Sequence, residues 1–310
     1  MTGILSAGQD TKKALLILIF MIFFSGVFLW SVNGHARDNT ISVLVSIPPQ
    51  KYFVEKIGGE NVNISVLLPP GSSPHAFEPS PSHMMEIGKA DAYMAIGVEY
   101  EKTLLPRIES MHPDLAIIHT DHGINKMDMT AHDHAPGNED GHQHGKDPHI
   151  WLSPELAMIQ GMNIYKALVK LYPGQKDRFQ ENYINFIKEL LDLDQAIKSI
   201  FSDSKPGSGF MVFHPSWGYF AREYGLIQIP VETQGKEPRS ADLKRLIDIA
   251  GQENINTVFV SPQFSQKSAE TIAKSIKGKT ISIDPLAEDW DQNLLQVAEK
   301  ISNALRHEHQ

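Results

Sequence analysis

The chain has 310 residues and a net charge of −9, with 41% hydrophobic and 21% charged residues. That length supports more than one core, and that composition excludes a collagen, a coiled-coil rod and a wholly disordered chain. The acidic balance argues against nucleic acid as a partner, because phosphate neutralisation needs a basic stripe. With no cysteine among the 310 residues, disulfides, thiolate metal sites and a Cys nucleophile are excluded, whereas 14 histidines call for a local cause.

The N-terminus reads as an address. Lys12 and Lys13 precede the apolar stretch 14–32, and Asn33-Gly34-His35-Ala36 places small residues at the spacing of a signal-peptidase site. Residues 1–36 are expected to be a cleaved secretory signal peptide, with an uncleaved membrane anchor as the alternative. No Cys follows the run, so a lipoprotein anchor cannot form there. No later segment is long and apolar enough to cross a bilayer.

From Ile41 the sequence keeps a beat of strand, loop and helix. Short β-branched or apolar runs at 41–47, 62–68, 92–98 and 116–119 alternate with helical patterns such as 82–89 and 101–110. After Lys205-Pro206-Gly207-Ser208-Gly209 the beat returns, with strands at 210–213, 226–231, 257–260 and 280–283 and helices at 241–253 and 266–277. Alternation of this kind specifies an α/β fold of two similar lobes, each a parallel sheet flanked by helices. Between them, Phe179, Tyr183, Phe186, Leu190, Leu193, Ile197 and Ile200 recur at steps of four and three, which places all seven on one stripe of a single long helix over 175–201. The expected domains are an N-terminal lobe (37–174), a linking helix (175–202) and a C-terminal lobe (203–310).

Residues 119–146 belong to neither lobe. His119, His122, His132, His134, His142 and His144 are mixed there with Asp121, Asp128, Asp133, Glu139 and Asp140. A polar loop of this length is uncommon unless functional, and imidazole with carboxylate suits zinc, copper or nickel. It is read as a weak secondary metal-binding segment, whose removal should leave any tight site in place.

Four residues occupy positions where an α/β lobe exposes chemistry. His75 follows the strand 62–68, His149 precedes a helix that Ser153 and Pro154 start, His214 ends the strand 210–213, and Asp284 ends the strand 280–283. Ligands of open α/β sheets bind beyond the carboxyl ends of the strands. Three imidazoles and one carboxylate can hold a tetrahedral Zn²⁺, and Pro74, Pro148, Pro215 and Pro285 stiffen the chain beside each. Imidazoles bind metal only when neutral, so an ordinary pKa near 6.5 predicts that binding weakens below about pH 6. His83 and His112 are expected to be exposed, and His307 and His309 to form a frayed tail. The loop 232–238 reads as a possible lining of the cleft with no chemistry of its own.

These segments resemble a known family. Ser73-Pro74-His75-Ala76-Phe77-Glu78-Pro79, Asp147-Pro148-His149-Ile150-Trp151, Phe213-His214-Pro215-Ser216-Trp217-Gly218-Tyr219-Phe220 and Asp284-Pro285-Leu286 look like those of the metal-binding solute-binding proteins of zinc and manganese ABC importers. The resemblance covers essentially the whole chain after the signal. It implies metal held in a cleft between two lobes by His75, His149, His214 and Asp284, no enzymatic activity, and a membrane permease as partner of a periplasmic monomer. His at the third position and the His-rich loop resemble the zinc branch, with Zn²⁺ as transported ligand and manganese or another divalent ion as the alternative. Pro74 stands where some zinc members place an acidic residue, so no further carboxylate ligand is expected there. From other classes, a secreted zinc hydrolase would need an open fourth position, and a metal buffer or surface adhesin would rely on the His-rich loop alone.

Overall fold

The computed structural model describes residues 40–129, 145–232 and 238–307. The expected signal peptide, His132, His134, His142, His144 and His309 lie outside the described residues. From Thr40 on the chain forms one compact unit. Among the described residues no helix is long and apolar enough to cross a membrane.

The first sheet contains β1 (Ile41–Val45), β2 (Val62–Val66), β3 (Ala92–Ala95) and β4 (Ala116–His119), in the order β2-β1-β3-β4. The second contains β5 (Gly209–Val212), β6 (Ile227–Pro230), β7 (Thr257–Val260) and β8 (Lys279–Ser282), in the matching order β6-β5-β7-β8. Every pairing is parallel, as the alternating pattern requires. Several strands are shorter than their apolar runs. After Val45 the chain turns at once into α1 (Pro48–Gly58), whose two leading prolines carry no N–H for a sheet ladder but suit a first helical turn.

α2 (Pro81–Ile87) and α3 (Glu101–Met111) connect the strands of the first sheet. α4 (Pro154–Leu171) starts as its sequence indicates, with the Ser153 hydroxyl accepting the Leu156 N–H at 3.1 Å and Pro154 in the first turn. The long helix α5 spans Lys176–Ile200, within one residue of expectation at each end. Phe179, Phe186, Leu190, Leu193 and Ile197 of its stripe are buried, and Tyr183 stacks on Tyr165 of α4 with ring centroids 5.2 Å apart. In the second half, α6 (Gly218–Glu223), α7 (Ser240–Gln252) and α8 (Gln266–Ser275) flank the sheet. The chain closes with α9 (Trp290–His307), so His307 ends an ordered helix rather than a frayed tail.

One apolar core runs through both halves. Phe53 and Val54 of α1, Phe186 and Leu190 of α5, and Trp290, Leu294, Val297 and Ile301 of α9 belong to the same cluster, and a second, smaller cluster lies between α7, α8 and the second sheet. The first cluster includes Trp151 and Leu286, which adjoin candidate site residues, so packing and site geometry are continuous.

Candidate metal centre

His75, His149 and His214 reach one point from three separate segments. His75 lies in the irregular chain after β2, where Pro69 and Pro70 exclude a ladder and Gly71 turns at φ +77°. His149 immediately precedes a single 3₁₀ turn, Ile150–Leu152. His214 follows β5, next to β7 at the point where the strand order of the second sheet reverses. One potential ligand nitrogen from each of the three rings lies within 4.8 Å of the other two. The Nε2 atoms of His75 and His214 stand 3.1 Å apart, close to the roughly 3.3 Å that two nitrogens span on a tetrahedral ion with ~2.0–2.1 Å bonds.

Two of the rings are held from behind. Asp147 Oδ1 lies 2.7 Å from His149 Nδ1 and also accepts the His149 backbone N–H at 2.9 Å. Glu232 Oε2 lies 3.0 Å from His214 Nδ1, and the Phe264 ring stacks on His214 at 4.3 Å with an 18° tilt. His149, His214, Asp147 and Glu232 are all buried, while His75 is exposed. The loop 232–238, read as having no chemistry of its own, thus begins with a carboxylate in contact with a candidate ligand ring. Register would have found it: Val212 of β5 pairs with Pro230 of β6, so two residues further on His214 and Glu232 stand side by side.

Asp284 does not belong to the histidine group. Its Oδ1 accepts from Gln263 Nε2 and from the Leu286 N–H, both at 2.9 Å. Gln263, Pro285 and Leu286 nevertheless line the same small cavity as the three histidines. That cavity has a volume of about 10 Å³, the space of one small ion or one water rather than of an organic substrate. Of the secondary candidates, His119 and His122 are exposed at the root of the His-rich loop, with His119 Nδ1 3.9 Å from Asp121 Oδ1. His83 and His112, expected to be exposed, are half-buried instead: His83 Nδ1 accepts the Ser80 N–H at the start of α2, and His112 packs against Gly88 beyond the end of α3.

Burial of its inward face, then repulsion from His214, His149 and Lys102, pushes the His75 imidazole down to about 3. Burial also lowers His214, against the opposing effect of its ring's hydrogen bond to Glu232. A proton competes with metal for such a ring only below that ring's own pKa, so both shifts move the competition to lower pH than an ordinary imidazole gives. The His75 ring of the metal-free protein should therefore still be neutral near pH 5, where a free imidazole is mostly protonated. Ring-selective NMR titration checks this, and a His75 midpoint near 6.5 would contradict it.

A two-lobed α/β scaffold with imidazoles converging on an ion-sized cavity defines a metal-binding solute-binding protein. The family model for the zinc-uptake complex component A, periplasmic (ZnuA), matches residues 43–307, and the chain belongs to that family. It is 30% identical over 260 residues to the high-affinity zinc uptake system protein ZnuA of Bacillus subtilis strain 168, covering 82% of this chain and 81% of that protein. It is 29% identical over 287 residues to the zinc-binding protein AdcA of Streptococcus pyogenes serotype M6; 87% of this chain is matched, but it spans only 56% of that relative's length. Among solved structures, a crystal structure of ZnuA is 41% identical with a TM-score of 0.79, covering 86% of this chain and 99% of that one. A 138–173 deletion mutant of ZnuA with zinc bound is 42% identical with a TM-score of 0.78, covering 86% and 98%.

Proposed function

We propose that this protein captures Zn²⁺ in the periplasm and delivers it to the membrane permease of an ABC importer. The observation that carries the reading is the convergence of His75, His149 and His214 on a cavity of about 10 Å³. In this reading their three nitrogens bind the ion, and Asp284, outside the histidine group in this structure, supplies the fourth ligand by turning its carboxylate from the Gln263 and Leu286 donors. Zinc is the cargo; the protein performs no chemistry on it. Residues 1–36 act as the export signal and are removed, leaving a periplasmic monomer. Membership of a zinc-uptake family and the zinc-binding relatives named above support the choice of metal.

The His-rich segment serves in this reading as a weaker antenna. Its neck is tied: Asp128 and Lys146 form an antiparallel bridge, and the Met129 N–H donates to Gly145 O at 2.9 Å. Residues before the neck are tied into the body, with Thr120 Oγ1 accepting from Gln50 and the Met127 N–H donating to the Tyr219 hydroxyl. Excision should therefore remove 130–144 only, rather than the whole of 119–146. The test is elemental analysis of protein purified without chelator or affinity tag, with zinc titration of the full-length and excised forms. One tightly bound zinc per chain in both forms is the expected result. Loss of the tight site on excision would turn the protein into a loop-based buffer, and absence of stoichiometric zinc would refute the reading.

A further inference from the structure

We propose that Asp147 and Glu232 are positioning residues for metal capture, each fixing one imidazole through Nδ1 so that His149 and His214 present their Nε2 lone pairs before the ion arrives. The proposal rests on the metal-capture reading above and adds a division of labour to it.

Both carboxylates are almost wholly buried, Asp147 at 3% and Glu232 at 6% exposure, and among the described residues the ion pair of each is with its histidine. Burying a carboxylate carries a desolvation penalty, which the hydrogen bonds to the two rings oppose. What they supply is chemical. A carboxylate accepts only from a protonated Nδ1, which fixes the neutral ring as the tautomer whose Nε2 carries the lone pair. Each also places negative charge behind a neutral ligand, so that a divalent ion is balanced by more than the first ring of donors.

The geometry is specific to these two rings. Asp147 is held by its own chain, where Oδ1 takes both the ring and the backbone N–H of His149 two residues on. Glu232 is held by the ladder, where its N–H donates to Phe213 O beside His214. Phe264 fixes the plane of the His214 ring, and Glu232 sets its orientation within that plane. Among the described residues His75 has no carboxylate behind it: its ring meets those of His214 and His149, and its backbone N–H donates to the Ser73 hydroxyl. Two rings are thus oriented in advance, and the third is set by the ion itself.

The experiment compares wild type with Glu232→Leu, Glu232→Gln and Asp147→Asn. Long-range proton–nitrogen NMR of the metal-free proteins reports which nitrogen of each ring carries hydrogen, a readout that a purely structural role would not move. Wild type should show hydrogen on Nδ1 of His149 and His214. Glu232→Leu should give a mixture at His214 alone, and zinc affinity by chelator competition should fall about 10–100-fold. Glu232→Gln, which keeps an acceptor but loses the charge, should retain the tautomer with an intermediate affinity. Asp147→Asn should act in the same sense on His149. An unchanged His214 tautomer, or wild-type zinc affinity, in Glu232→Leu would overturn the proposal. If wild type itself takes up no stoichiometric zinc, the metal reading fails, while the metal-free tautomers still decide whether the carboxylates position the rings.

Discussion

His75→Ala and His214→Ala should each abolish tight zinc binding, and they should differ in what they do to the metal-free fold. Four-ligand zinc sites have apparent binding energies of about 10–16 kcal/mol, so an even share for one ligand of four is about 2.5–4 kcal/mol, and affinity should fall by about two to three orders of magnitude in either variant. The difference lies in surroundings. His75 is the exposed residue of the three and has no carboxylate partner among the described residues, so its removal should cost less stability than that of His214. His214 is 7% exposed and is the ion-pair partner of Glu232, so its removal leaves a buried carboxylate without its donor, at a cost of about 1–3 kcal/mol. Chelator competition measures the first effect and denaturant unfolding without metal the second. Wild-type affinity in either variant would remove that residue from the site, and equal stability losses would contradict the pairing of His214 with Glu232.

The parts of this protein that are legible in its sequence are those whose signals are local. The four-and-three spacing from Phe179 to Ile200 specifies a helix stripe wherever the chain goes, and α5 fits it to within a residue. His75 and His214 could be picked out because they follow short apolar runs, where α/β folds expose ligands, and His149 because it precedes the helix that Ser153 and Pro154 start, with a proline beside each. Glu232 was illegible for the opposite reason. Its role depends on the register of β6 against β5, which brings together residues 18 apart that no short motif connects. Phe264 is similar, being delivered to His214 by the loop after β7. The helix α9 carries Leu294, Val297, Ala298, Ile301 and Leu305 at helical spacing, and treating its last histidine as a tail overlooks that signal. That one core unites both halves could not be read from periodicity, because periodicity says which face is apolar but not what covers it.

That shared core carries the second large effect. Trp290 is 1% exposed; its ring meets Phe53 of α1 edge-on at 4.9 Å, and its Nε1 donates to Trp151 O at 2.7 Å. Trp151 in turn donates its own Nε1 to Pro285 O at 2.7 Å. The two indoles therefore link the segment bearing His149 to the segment bearing Asp284, each by one buried hydrogen bond. Trp290→Ala should open a cavity beside Phe53 and Tyr52 and remove the donor to Trp151 O, costing about 3–5 kcal/mol. In a chain of this size that corresponds to a fall in Tm of about 6–20 °C. Trp290→Phe keeps most of the apolar volume and loses chiefly the donor, so its cost should be about 1–3 kcal/mol. Leu191→Ala, at a position 52% exposed on α5, should stay within about 0.5 kcal/mol and serves as the control. Because zinc binds only the folded chain, saturating metal should raise the Tm of all three variants, with Trp290→Ala gaining least if the link to Pro285 helps to set the site. Calorimetry with and without zinc measures both quantities. A Trp290→Ala protein as stable as the Leu191→Ala control would show that the two halves do not depend on this contact.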